Sequence, residues 1–284
     1  MELSNKEDLL KILNFYRLRP KKLLGQNFLI NPEIFKEIIK SAELNKKDII
    51  LEIGAGLGTL TEKLSQQSRL VVAIEKDKNL ADILKKITFP YNNIKIINDD
   101  VLKIFKDKEE FEKYKLKNYK IVANLPYNIT SPVLKKFLTG YYKPSLMVLM
   151  VQKEVAEKIV NKPPKMSILS LSVQAYGQPE IVTYIKRSNF WPSPKVESAI
   201  IKIKNIGTRI NFEEKEFFKL IRIGFSSPRK TLINNLTAGF RKDKEDFKKL
   251  FRKIGFKKQI RAQELSLSDW QKLISELKKY KFYE

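Results

Sequence analysis

The sequence contains neither cysteine nor histidine. Those two absences exclude disulfides, thiolate and imidazole metal sites, cysteine nucleophiles and the usual imidazole base. Any chemistry must therefore run on Asn, Asp, Glu, Lys, Tyr, Ser, Thr or the backbone, and no metal site is expected. Long apolar runs are missing too: nothing approaches the roughly 18–20 apolar residues of a membrane-crossing helix. The segment 1–20 mixes Glu2, Glu7 and Asp8 with Lys and Arg, so it has neither the apolar centre of a secretion signal nor the acid-poor character of a transit peptide. The expectation is a cytoplasmic protein, monomeric and without a membrane partner.

What the chain has in excess is positive charge. Its 284 residues carry a formal net charge of +24. Residues 186–284 hold 25 Lys and Arg against 11 Asp and Glu, so the excess is concentrated toward the C-terminus. A surplus of this size points to a polyanionic partner, because each phosphate contact releases counterions and adds salt-sensitive affinity. With 43% hydrophobic residues, the chain can bury the core of one large domain and one small one.

Short apolar runs alternate with helical periodicity, the pattern of an α/β sheet with crossover helices. Strands are predicted at 49–53, 70–74, 94–97, 120–123 and 146–151, nearly all apolar as strands buried on both faces should be. Two later runs, 181–185 and 198–203, alternate more and read as a hairpin-like pair at one sheet edge. Helices are predicted at 32–42, 60–67, 78–86, 132–138 and 152–160. Beyond about residue 205 the strand signal stops. Segments near 213–224, 229–236, 244–254 and 268–279 read as helices separated by Gly and Pro. The expected division is an N-terminal extension at 1–20, a sheet domain at 21–207 and a helical domain at 208–284.

The first predicted strand runs into Gly54-Ala-Gly-Leu-Gly58 and then a helix. Glycines there let the backbone approach a ligand where a Cβ would clash. The spacing is G-x-G-x-G, one residue shorter than the dinucleotide fingerprint. The next strand ends at Glu75, 21 residues past Gly54, where an acid can accept both hydroxyls of a ribose. A third strand ends at Asn98-Asp99-Asp100, where a carboxylate can meet an adenine amino group. Glycines and acids at successive strand tips point to a nucleoside cofactor. The fourth strand delivers Asn124-Leu125-Pro126-Tyr127. An adenine N6 is a poor nucleophile because its lone pair is delocalised into the ring. The Asn124 side-chain oxygen and the Leu125 carbonyl can accept its two protons, Pro126 can fix the turn, and Tyr127 can stack on the base.

These blocks resemble the small-subunit rRNA adenine N6,N6-dimethyltransferase family over nearly the whole chain. The resemblance rests on Lys21-Lys22-x-x-Gly25-Gln26-Asn27-Phe28-Leu29, on Leu51 to Thr61 around the glycine loop, and on Asn124 to Pro132. It continues in Val151 to Glu157, Phe190-Trp-Pro-Ser-Pro-Lys-Val-Glu-Ser198, Arg229 to Leu236, and Arg261 to Ser266. It implies a Rossmann-like class I methyltransferase sheet with a small C-terminal all-helical domain, and S-adenosyl-L-methionine as cofactor. By resemblance Asn27, Leu29, Gly54, Gly56, Glu75, Asp100 and Asn124 bind the cofactor. Phe28, Tyr127, Phe190, Arg229 and Lys230 bind substrate, with Phe190 sandwiching the target base against Tyr127. The family's reaction dimethylates two neighbouring adenosines near the 3′ end of small-subunit rRNA, in an assembling 30S-type particle. Asn98-Asp99-Asp100 departs from the family's usual Gly-Asp pair. A large-subunit rRNA methyltransferase, a DNA adenine methyltransferase and a non-catalytic assembly factor are the alternatives.

Overall fold

A computed structural model describes residues 4–280. They form two compact units. The first extends to Ala156 and resumes over Gln178–Gly207; the second combines Glu157–Gly177 with the chain from Thr208 on.

In chain order the first unit opens with helix α1 (Lys6–Phe15), the two-residue strand β1 (Phe28–Leu29) and α2 (Pro32–Ser41). Alternating strands and helices follow: β2 (Ile49–Ile53), α3 (Thr59–Ser65), β3 (Leu70–Ile74), α4 (Lys78–Ile87), β4 (Ile94–Ile97) and α5 (Lys108–Lys113). Then come β5 (Lys120–Asn124), α6 (Thr130–Thr139), β6 (Leu146–Gln152) and α7 (Lys153–Val160). After α8 (Ile168–Gln174) the chain returns as β7 (Gln178–Ile185), β8 (Phe190–Trp191) and β9 (Ser198–Lys204). The seven-stranded sheet has the order β4-β3-β2-β5-β6-β9-β7, while β1 and β8 pair separately. Strands β2 to β6 are parallel, and β9 lies antiparallel between β6 and β7.

The central strands form because their residues are apolar enough to be covered on both faces. All five residues of β2 are buried, Glu52 included. The strand order reverses at β2, whose neighbours are β3 on one side and β5 on the other. Such a reversal in an open parallel sheet leaves a crevice at the strands' carboxyl ends. The glycine loop after β2 and the Asn124 tetrapeptide at the end of β5 both fall there.

The described part of the N-terminal extension, 4–20, packs on the first unit. Asn5 caps α1 by accepting from the Asp8 amide at 2.9 Å, and Leu9 and Leu13 bury against Leu57, Leu80 and Ile83. The sheet domain expected at 21–207 is also interrupted, because Glu157–Gly177 packs with the helical unit. Within that unit the Met166 amide donates to the Gln263 carbonyl at 2.9 Å, and the Arg209 amide to the Ala175 carbonyl at 2.8 Å. The Tyr176 ring stacks on Phe218. The rest of the unit is α9 (Glu214–Gly224), α10 (Leu232–Phe240), α11 (Lys244–Ile254) and α12 (Leu267–Lys279), around a core of Phe217, Leu236, Phe247, Phe251 and Trp270. Helix α10 starts later than its periodicity suggests. Thr231 caps it, and Arg229 and Lys230 stand exposed in the preceding turn. Among the described residues no helix is long and apolar enough to cross a membrane.

Candidate active site

Five chain segments line most of the crevice: Leu23–Leu29, the glycine loop with Glu52 and Ile53, the Glu75 strand tip, the Asp100 strand tip, and Asn124–Ile129. The loop folds back on β3, since the Gly54 and Ala55 amides donate to the Ile74 carbonyl at 2.8 and 3.1 Å. Gly54 and Gly56 have φ of +76° and +60°, which side-chain-bearing residues rarely adopt. Glu75 spans the loop: Oε2 accepts from the Gly56 amide and Oε1 from the Asp77 amide, both at 2.8 Å. Burial pushes its carboxyl above the usual range, although these amide donors favour the ionised form.

At the next strand tip the Asp99 carboxylate accepts from the Asp100 amide at 2.6 Å. Asp100 accepts from the Leu102 amide at 2.9 Å and pairs with Lys76 at 2.9 Å. Burial raises the Asp100 pKa, but the amide and the ammonium outweigh it and hold the carboxyl below its ordinary value. Asp77, which caps α4, accepts from Gln26 at 3.0 Å and pairs with Lys21 at 2.8 Å. That pair of contacts ties the chain before β1 across the edge of the crevice.

The tetrapeptide after β5 sits against the same loops. Pro126 lies between two glycines: a Cβ at Gly54 would meet its Cδ at 3.3 Å, and one at Gly25 its Cβ at 3.4 Å. The positive φ of Gly25 and Gly54, +67° and +76°, is what favours glycine at both places. The Asn124 amide nitrogen donates weakly to the Asn27 carbonyl at 3.5 Å. Tyr127 opens a single 3-10 turn, and its hydroxyl meets that of Ser198 at 2.6 Å.

The sequence matches ribosomal RNA adenine dimethylase over residues 17–279. The chain belongs to that family. It is 41% identical over 268 residues to ribosomal RNA small subunit methyltransferase A of Dehalococcoides mccartyi, covering 94% of this chain and 91% of that protein. The dimethyladenosine transferase of Plasmodium falciparum is similar in structure, with TM-score 0.74, 28% identity, and coverage of 89% of this chain and 98% of that one. The 23S rRNA methyltransferase ErmE superposes with TM-score 0.71 at 23% identity, covering 89% of this chain and all of that one, which speaks for the fold alone. This dimethylase therefore has the Rossmann-like class I methyltransferase sheet with a helical C-terminal part. It is an rRNA adenine methyltransferase that uses S-adenosyl-L-methionine.

The structure brings most of the predicted residues of the dimethylase into one crevice. Asn27, Phe28, Leu29, Gly54, Gly56, Glu75, Asp100 and Asn124 to Tyr127 all line it. Phe28 does so on the glycine-loop side, its ring 3.6 Å from where a Gly56 Cβ would stand. The Leu29 side chain turns into the core, so the backbone is what this residue offers a ligand. Phe190 is not brought to the crevice. It is 3% exposed and packs in a core cluster with Leu29 and Phe35, because its strand β8 pairs with β1 at Leu29. Its side chain packs in that cluster, two of whose other members, Leu29 and Phe35, line the crevice. Arg229 and Lys230 belong to the second unit.

Four features of the dimethylase site escape a reading of the sequence. Lys76 holds Asp100, Gln26 and Lys21 hold Asp77, and Ser198 holds Tyr127. The fourth is Glu52, 2% exposed, whose Oε2 is buried without a hydrogen-bond partner, as is the neighbouring Thr61 Oγ1. Burial, with the nearby Glu75 adding to it, pushes the Glu52 carboxyl up to about 8. A signal for Lys76 and Glu52 exists, since each adjoins a recognised residue at a strand tip. The other two come from tertiary contacts with no local signature.

Proposed function

We propose that this dimethylase converts two adjacent adenosines near the 3′ end of small-subunit rRNA to N6,N6-dimethyladenosine, in an assembling ribosomal particle. The single observation that carries the chemistry is Pro126 lodged between Gly25 and Gly54, which sets the target loop directly on the cofactor loop. The relative named for the small subunit, at 41% identity over nearly the full length, supports the choice of rRNA.

The crevice fits its cofactor by chemistry. It offers a glycine cradle that a Cβ would fill, a carboxylate at the ribose position, an acid pair for the adenine edge, and an unpartnered buried carboxyl oxygen on Glu52. Asn27, Leu29, Gly54, Gly56, Glu75, Asp100 and Asn124 hold S-adenosyl-L-methionine, which supplies an electrophilic methyl group on sulfur. The protein's part is to make N6 a nucleophile. Asn124 Oδ1 and the Leu125 carbonyl accept the two amino protons and draw the nitrogen toward tetrahedral geometry. Tyr127 stacks on the ring, a contact worth about 1–3 kcal/mol per base. Positive charge moves to N6 with the methyl group and N6 then gives up a proton to water; the cation is acidic enough that fixed carbonyl dipoles and alignment suffice and no strong base is required. In the helical unit, Arg229 and Lys230 bind the RNA backbone.

The test is incubation of the protein and labelled S-adenosyl-L-methionine with undermethylated small subunits, large subunits and naked rRNA, followed by mapping of the label. Dimethyladenosine at two adjacent small-subunit positions is expected. Label on large-subunit RNA would reassign the substrate and leave the site roles standing. Cofactor binding without label anywhere would favour an assembly factor that no longer methylates.

A further inference from the structure

Tyr127 has a positional problem. It stands on a one-turn 3-10 helix, Tyr127–Ile129, entered through a proline and outside the ladder of β5. Nothing in that backbone fixes the plane of its ring, yet a base can be held for in-line transfer only if the ring it stacks on is itself held.

The hydroxyl pair answers this. Ser198 is the first residue of β9, fully buried, and paired in the ladder with Gln152 of β6 on one side and Ile185 of β7 on the other. Few positions in the unit are more firmly placed. Its hydroxyl lies 2.6 Å from the Tyr127 hydroxyl, at the short end for an O–H···O bond. A serine there otherwise has little reason to exist, since the next three residues are apolar and a buried hydroxyl must find a partner. Tyr127 is that partner, while its ring borders the crevice.

We propose that Ser198 is a positioning residue for the target adenine: it fixes the Tyr127 ring by its far end and never touches the reacting atoms. This rests on the stacking role given to Tyr127 above. It also gives the Phe190–Ser198 segment a function at the site that runs through its last residue.

The test compares full-length Ser198→Ala, Tyr127→Phe and the double variant on undermethylated small subunits. Each single change should lower kcat/KM for the particle about tenfold, the effect of one hydrogen bond. Affinity for S-adenosyl-L-methionine without RNA should stay as in the wild type, and Ser198→Ala should be silent in the Tyr127→Phe background. A merely structural serine would cost melting temperature equally in both backgrounds. Wild-type kcat/KM in Ser198→Ala, or losses that multiply in the double variant, would overturn the proposal. If Ser198→Ala does not fold, Tyr127→Phe decides alone, since it keeps the ring and removes the bond; wild-type turnover there is fatal. Tyr127→Ala separates the two levels. Turnover by that variant sinks the stacking reading itself, whereas its inactivity beside a wild-type-like Ser198→Ala sinks only the part given to Ser198.

Discussion

The two units of the molecule treat charge in opposite ways. Among the described residues every buried Asp, Glu, Lys or Arg lies in the first unit: Glu52, Glu75, Asp77 and Lys202. Among the described residues the second buries Ser170 and Asn235 whole, and single polar atoms of Tyr176, Trp270, Glu216 and Glu276. Asn235 donates to the carbonyls of Gly224 and Ser227, so it serves the backbone. Burying a charge is costly unless donors or counter-charges surround it, and the first unit provides backbone amides at a glycine loop and a helix start. The second keeps its cations at the surface on amphipathic helices, as in α11, where Phe247, Leu250 and Phe251 face inward. Chemistry on a neutral amine calls for dipoles fixed in a dry crevice. Holding a polyanion calls for cations left in water, where counterion release supplies the affinity.

Substitutions can break this contrast, and the largest effect is expected at its chemical end. Asn124→Ala removes the acceptor proposed for N6 and should lower methyl transfer by about 10²–10³-fold, with a smaller loss in cofactor affinity. Single-turnover rates alongside calorimetric binding check this, and wild-type turnover would sink the mechanism. In the second unit Gly224→Ala is the matching lesion. Its Cβ would stand 2.3 Å from Trp270 Cη2 and 3.0 Å from Leu232 Cδ1. It should destabilise the helical unit by about 1–3 kcal/mol in chemical denaturation while cofactor affinity is untouched.

Glu52 offers a third way in. Its carboxyl titrates near 8 in the folded protein against 4.5 ordinarily. Between those values the folded chain holds a proton that the unfolded chain has released. Stability must therefore fall as pH rises through that window, by up to about 1.4 kcal/mol per pH unit. Glu52→Gln should flatten that part of the melting-temperature profile between pH 5 and 8; an identical slope in both proteins would mean the carboxyl ionises normally. Charge reversal at Arg229 or Lys230 should have the smallest effect. A few-fold loss of particle binding is expected, with the salt dependence lowered by about one unit of slope per lost phosphate contact. An unchanged slope would leave both residues as a solvated turn.

The sheet was legible in the sequence because strands covered on both faces are apolar almost throughout, as β2, β3 and β6 are apart from Glu52 and Gln152. The glycine loop, Glu75 and the Asn124 tetrapeptide were legible because each sits at the end of such a strand. What stayed hidden depends on contacts between distant segments. The two-residue strands β1 and β8 exist only through each other, and their pairing is what places Phe190 in the core. Helices α5 and α8 are six and seven residues long, too short for a clear period. Ser198 and Tyr127 are 71 residues apart, and neither announces the other.

The detour of Glu157–Gly177 into the second unit has a consequence for how the chain comes off the ribosome. Met166, Leu171, Val173 and Tyr176 are synthesised well before Phe218 and Gln263, the groups they or their neighbours meet. Strands β7 and β9 emerge in between, so the sheet can close while this apolar hairpin still waits. A chain released at residue 207 would thus hold every strand of the sheet beside an apolar stretch lacking those partners, the kind of surface that chaperones bind.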